Sequence, residues 1–243
     1  MELRGRVALV TGAGKRVGRA IATSLGALGM RVVVHHHASV DGARETAHAI
    51  EAAGGSAKIV RADLTDPTSA GALIEAAVAS WGGLDVLVNS AAVMERTPFA
   101  EVTQAQWDAM FALNLRAPFF LSQAAAPHLK KVKGAIVNIA DLAAFETWPA
   151  YIPHALTKGA IVHMTRAVAR VLAPEVRVNA VAPGTVLLPE GWTAGDEARL
   201  RSTTPLGRSG SPEDVAQAVR YFLEADYVTG ETLIVDGGRN VRK

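Results

Sequence analysis

Cysteine is absent from the 243 residues, which excludes disulfide frameworks, thiol nucleophiles and thiolate metal sites together. Aromatic residues are scarce at 5%, so aliphatic side chains have to fill the core. No long run of like charge occurs, and Lys plus Arg exceed Asp plus Glu only by 25 to 23. Despite a pI near 9.0, no nucleic-acid or membrane-surface partner is expected. No uninterrupted apolar run is long enough for a bilayer. The opening Met1-Glu2-Leu3-Arg4-Gly5-Arg6 leads into a strand-like segment without a signal-peptide pattern. The expectation is a cytoplasmic globular protein. With 49% hydrophobic and 20% charged residues, the chain can bury a sizeable core, read as one domain over residues 1–243.

What is present is a rhythm. Short β-branched runs recur at Val7–Val10, Val32–Val34, Ile59-Val60, Val86–Val88, Ile136–Ile139, Val176–Val178 and Leu233–Val235. Continuous apolar runs of this length suit strands buried on both faces of a parallel sheet. Between them lie Ala-rich segments of helical spacing, at 15–28, 40–53, 67–81, 104–131, 153–173 and 212–224. Strict alternation predicts an α/β fold, doubly wound, with a parallel sheet of about seven strands flanked by helices. The stretch 184–211 lacks periodicity and is rich in Gly, Pro, Thr and Ser. Residues 185–206 are read as a substrate lid.

The first strand runs into Thr11-Gly12-Ala13-Gly14-Lys15-Arg16-Val17-Gly18 and then a helix. A glycine turn in the first βα unit lets backbone N–H groups approach a pyrophosphate at a helix N-terminus, the Rossmann-type arrangement. The end of the second strand distinguishes the dinucleotides, because an NAD site places a carboxylate there for the ribose. Here stand His35-His36-His37-Ala38-Ser39, with no carboxylate before Asp41. With Lys15 and Arg16 nearby, the donors suit a 2′-phosphate and favour NADPH/NADP+. The plainer reading of the histidines is a solvent-exposed strand end. A metal site is disfavoured because successive strand side chains alternate sides. Asp63 is placed to accept from the adenine amine, and Asp66 reads as the cap of the helix after Pro67.

These motifs, with Asn89-Ser90-Ala91, Asn114, Lys158, Asn179–Gly184 and the closing Val228-Thr229-Gly230…Asp236-Gly237-Gly238, resemble the short-chain dehydrogenase/reductase family over essentially the whole chain. The resemblance implies cofactor contacts at Gly12, Gly14, Lys15, Arg16, Val17 and Gly18 of the turn, and at His35, His36, His37 and Ser39. Further contacts follow at Asp63 and Leu64, at Asn89, Ser90 and Ala91, and at Lys158, Pro183, Gly184 and Val186. It also implies catalysis by a serine, a tyrosine four residues before a lysine, and an asparagine. Carried over, the asparagine is Asn114 and the lysine Lys158, but Asp141 holds the serine position and His154 that of the tyrosine. Asp141, Arg16 in place of a glycine and the histidine-rich strand end resemble the pteridine reductase and dihydromonapterin/dihydrofolate reductase branch. There the aspartate helps protonate a ring nitrogen.

His154 and Lys158 fall one helical turn apart on one face, with Pro153 expected at the first helical position. A free phenol titrates near ~10 and an imidazole near ~6.5, and neutral imidazole is a poor donor, so the tyrosine route is expected to suffer. Three readings follow. His154 acts as an imidazolium acid, or Asp141 protonates a pteridine nitrogen with His154 orienting groups, or the protein binds cofactor without turnover. Tyr151 is expected to line the pocket. Met94 holds the position of the branch's stacking ring, with Ala92 two before it. Phe145, Trp148 and Trp192 could supply stacking surface or be ordinary core and loop aromatics. Glu190 and Arg199 are charged candidates on the lid, more simply read as solvated surface. A small-molecule substrate is expected. The resemblance implies a homo-oligomer, tetramer or dimer, paired through the helices at 104–131 and 153–173. Carbonyl reduction of the 3-oxoacyl, sugar or steroid type is the alternative chemistry.

Overall fold

The structure is a computed structural model that describes residues 1–188, 191 and 193–241. Its strands are β1 (Val7–Val10), β2 (Arg31–His36), β3 (Ser56–Arg61), β4 (Val86–Asn89), β5 (Ala135–Ile139), β6 (Arg177–Pro183) and β7 (Thr232–Val235). Its α-helices are α1 (Arg16–Ala27), α2 (Val40–Ala52), α3 (Ser69–Trp81), α4 (Gln104–Phe111), α5 (Ala117–Val132), α6 (Ile152–Leu172), α7 (Ala194–Thr203) and α8 (Pro212–Glu224). The strands form one sheet in the order β3-β2-β1-β4-β5-β6-β7, and every pairing is parallel.

Side-chain alternation sorts the core into two layers. From β1, Ala8 and Val10 point toward α1, α2 and α8, packing with Ile21, Leu25, Ile50, Val219 and Phe222. Val7 and Leu9 point the other way, against Leu73 and Ile74 of α3 and Leu121 and Leu129 of α5. Each fully buried Val or Leu contributes about 1.5–3 kcal/mol, so both faces of the sheet anchor it. On α6, His154, Thr157, Lys158, Ile161, Thr165, Ala169 and Leu172 form one buried stripe. The helix that closes the core thus also carries the polar residues of the site.

The chain winds from β1 to β2 on one side and from β4 to β5 on the other. The C-terminal ends of β1 and β4 therefore open a crevice, where ligands of such sheets bind. Local structure departs from the sequence reading at several points. β2 continues through His35 and His36, which are buried between β1 and β3 rather than lying at an exposed strand end. The segment expected as one helix over 104–131 is interrupted by a π turn at Ala112–Arg116 that contains Asn114. α3 begins at Ser69, so Asp66 accepts from the Thr68 amide and hydroxyl in the preceding turn instead of capping the helix. The stretch read as lid holds α7, whose capping box pairs Thr193 with Asp196. Only Leu200 of α7 is buried, which is why its sequence shows no apolar period. Among the described residues, no helix is long and apolar enough to cross a membrane.

Candidate active site

The turn after β1 is held from three sides. Thr11 Oγ1 accepts from the amides of Ser90 (2.9 Å) and Ala91 (3.0 Å), tying the exits of β1 and β4 together. Gly12, at φ +66°, lies so close to Ala91 that a Cβ would come within 2.9 Å of its Cα. A Cβ on Gly18 would meet the Gly12 carbonyl oxygen at 2.3 Å, so α1 starts directly behind the turn. Gly14 abuts Ser39, whose carbonyl oxygen would lie 3.0 Å from an added Cβ. α4, α7 and α8 each carry a capping box. α1 has no side-chain cap among the described residues and no acid in its first turn. Its first amides and the positive end of its dipole are left for an anion. Arg16, exposed beside Lys15, stands at φ +53°, a left-handed conformation suited to glycine. Cradle and donors fit a dinucleotide pyrophosphate.

The histidine run divides by environment. His35 Nδ1 accepts from the Gly12 amide (3.1 Å) and its Nε2 lies 3.2 Å from the Ala62 carbonyl oxygen. Burial lowers its pKa to about 4, opposed by the Ala62 bond and assisted by His36 and His37. His36 is buried as well, with Nδ1 unpartnered among the described residues. Neither ring therefore presents itself at the strand end. His37 does: it is exposed, with Nε2 3.8 Å from Asp63 Oδ2. Asp63 Oδ1 accepts from the Thr65 hydroxyl (2.7 Å) and amide (2.9 Å), and those bonds hold its pKa below the usual value. Leu64 is packed into the core.

At the β4 exit, Asn89 turns inward, donating to Asn138 Oδ1 (2.8 Å) and Ser122 Oγ (3.3 Å). Its side chain belongs to a buried network and not to the crevice surface. The backbone of Val93 is the hub of the catalytic end. Its amide donates to Asn114 Oδ1 (2.9 Å), and its carbonyl oxygen accepts from Asn114 Nδ2 (2.8 Å). The same carbonyl lies 3.2 Å from His154 Nδ1. A carbonyl can only accept, so Nδ1 carries a proton and Nε2 is the nitrogen able to exchange one. Nε2 is buried without a hydrogen-bond partner among the described residues and faces Asp141 Oδ2 at 3.8 Å. Asp141 is fixed by its other oxygen, which accepts from the Ala143 amide (2.8 Å). Lys158 Nζ donates to the Ile139 carbonyl oxygen (2.8 Å). Burial lowers its pKa from 10.5 to about 8, and the Asp141 charge resists the fall.

Asp141, His154, Lys158 and Asn114 thus lie together, Asp141 beside His154 and Lys158, and Asn114 bonded to Thr157 of the same helix. Pro153 follows Ile152, the first residue of α6, and so occupies the second helical position instead of the first, while Tyr151 precedes the helix. Tyr151 meets Trp148 edge-on at 6.2 Å. Trp148 Nε1 donates to Glu146 (2.9 Å), which also receives Arg239 (3.3 Å). Met94 and Phe145 are exposed at 47% and 42%, so neither is a core residue. Pro183 ends β6, the Gly184 amide donates to Val235, and Val186 is buried in the core. Arg199 is solvated, 3.9 Å from Asp196. Trp192 and Glu190 lie outside the described residues. The Val93 hub and the Glu146–Arg239 pair were missed, the first because a backbone carbonyl leaves no residue-type signal. Thr157, bonded to Asn114 (3.3 Å), was detectable one turn after His154. Among the described residues, no group of three His, Cys, Asp or Glu side chains is placed to hold a metal.

Residues 12–240 match the family described as enoyl-(acyl carrier protein) reductase. An oxidoreductase of Methylorubrum extorquens is 41% identical, covering 98% of both chains. A protein of Streptomyces violaceoruber, named as a ketoacyl reductase of the granaticin polyketide synthase, is 39% identical over 97% of this chain and 96% of its own. A Sinorhizobium meliloti crystal structure, named as a short-chain alcohol dehydrogenase, superposes with a TM-score of 0.95 at 33% identity, over 100% of this chain and 99% of that one. The chain belongs to the short-chain dehydrogenase/reductase family and is an oxidoreductase of the kind that uses a nicotinamide dinucleotide.

Proposed function

We propose that the protein is an NADPH-dependent carbonyl reductase in which His154 takes the place of the family's tyrosine as acid and base. One observation carries this: the exchangeable Nε2 of His154 is buried, unpartnered among the described residues and turned toward Asp141 Oδ2 at 3.8 Å. A bound nicotinamide supplies the hydride. Asp141 stabilises the imidazolium, whose Nδ1–H stays on Val93. In reduction, the Nε2–H proton passes to the carbonyl oxygen as the carbon receives the hydride, leaving a hydroxyl and a neutral imidazole. In the reverse direction the neutral Nε2 takes the hydroxyl proton. Lys158 holds the nicotinamide ribose. Lys15, Arg16 and His37 support NADPH as the cofactor, because no carboxylate stands at the end of β2. The relative named as a ketoacyl reductase favours a ketone substrate, and exposed Met94 and Phe145 favour an apolar one. The cytoplasm, where reduced nicotinamide dinucleotides are held, is the compartment this reading assigns.

The test is a pH–rate profile in both directions with a 3-oxoacyl thioester, a cyclic ketone and a dihydropteridine, for the wild type, His154→Tyr and His154→Phe. Reduction falls and oxidation rises with increasing pH, His154→Tyr moves the reduction limb upward, and His154→Phe loses at least ~100-fold in kcat. Full activity of His154→Phe overturns the reading. Pteridine reduction is the second reading, favoured by Asp141 and by Arg16 in a glycine conformation; turnover of the dihydropteridine alone would select it. We also propose a homo-oligomer, with a second copy covering the groove between α4, α5 and α6 that exposes Phe119 and Phe120. Light scattering on Phe120→Glu tests that, and an unchanged mass refutes it.

A further inference from the structure

We propose that His35 is a positioning residue for the dinucleotide: its neutral ring props the glycine turn from beneath and is not itself a phosphate ligand. This rests on the dinucleotide reading above. One residue grips two consecutive amides of the turn, because Gly12 N–H donates to His35 Nδ1 (3.1 Å) and Ala13 N–H to the His35 carbonyl oxygen (2.9 Å). An amide N–H can only donate, so Nδ1 holds the lone pair and the ring proton is on Nε2, directed to the Ala62 carbonyl oxygen (3.2 Å). The ring is therefore a strut from the β1 turn across β2 to the chain leaving β3, one residue before Asp63.

The strut works in one protonation state. An imidazolium would set an N–H against the Gly12 N–H, breaking the bond that fixes the turn. The ring is 2% exposed and its pKa is lowered to about 4, chiefly by burial, so it stays neutral under physiological conditions. The charges acting on its proton are the next two residues, His36 at the end of β2 and His37 just beyond it. Strand alternation sets the ring on the sheet face of Val33 and Leu9, toward α3, where the charged side chains of the packed elements are Lys58 of β3 and Glu75 of α3, with Asp63 following β3. Gly12 has little room to compensate, since the Ala91 backbone fills the space that a Cβ on it would need. A shift there disturbs both walls of the crevice.

NADP+ and NAD+ binding is measured by calorimetry, with thermal melts alongside. His35→Leu leaves the Gly12 amide without its acceptor, and both dissociation constants rise at least about tenfold. His35→Asn, whose Oδ1 can take the place of Nδ1, returns them to within about threefold of wild type. Leu129→Ala, a core change in α5, lowers the melting temperature without altering either constant. From pH 6 to pH 4 wild-type binding weakens, whereas His35→Asn, which does not titrate, weakens much less. The proposal is overturned if folded His35→Leu binds both dinucleotides as wild type does, or if His35→Asn shows the full acid loss. If His35→Leu does not fold, the His35→Asn pH comparison decides. Wild type binding neither dinucleotide would sink the cofactor reading and this proposal together; tight wild-type binding with indifferent variants sinks only this one.

Discussion

Lys158→Met should make the protein more stable at neutral pH while ending its turnover. Lys158 is buried, and its pKa falls from 10.5 to about 8, a change corresponding to about 3 kcal/mol. The unfolded chain therefore holds this proton more tightly than the folded one. The associated stability is present above about 10.5 and is lost as the pH falls through about 8, so the wild type bears the full cost at pH 7. Methionine fills similar volume without a charge. Losing the bond to the Ile139 carbonyl oxygen (2.8 Å) takes back about 1–1.5 kcal/mol. A net gain of about 1.5–2 kcal/mol remains, or roughly 5 °C in Tm for a chain of this size. Urea unfolding of both proteins at pH 7.0 and 9.5 is the assay, and the difference between them cancels other titrations. The advantage of the variant should shrink by about 2 kcal/mol at pH 9.5, as the wild-type lysine sheds its proton. A variant less stable than wild type at pH 7, or a gap that ignores pH, would refute the reasoning.

Gly18→Ala places a Cβ 2.3 Å from a backbone oxygen that cannot swing aside. It should cost about 1–3 kcal/mol and weaken dinucleotide binding, read by melts and calorimetry. Arg16→Gly relieves a left-handed conformation at φ +53°, worth about 1–2 kcal/mol, against roughly 0.5–1 kcal/mol of added chain entropy. Tm should rise by no more than about 5 °C while the NADP+ dissociation constant rises and that of NAD+ does not. Equal losses for both would remove Arg16 from the 2′-phosphate. Asn138→Ala removes a fully buried amide that accepts from Asn89 and donates to Thr165. It should cost about 2–4 kcal/mol in chemical denaturation. A neutral effect would mean the network relaxes without penalty.

The alternation of apolar runs and Ala-rich segments determined the sheet, its parallel sense and the crevice, because a strand buried on both faces leaves a distinctive run of Val, Ile and Leu. The glycine turn was equally legible: Gly12 and Gly18 are where a Cβ would strike backbone. The residues at the catalytic end could be named, since His154 and Lys158 are one turn apart on α6 whatever surrounds them. Tertiary structure decided what those residues do. Only packing shows that β2 extends far enough to bury His35 and His36, leaving His37 alone at the surface. Only the β4 exit brings the Val93 carbonyl to His154, setting which ring nitrogen can exchange a proton. Backbone atoms carry no residue identity, and burial is a property of the assembled sheet, so neither the tautomer of a histidine nor the depressed pKa of Lys158 can be read from a string of side chains.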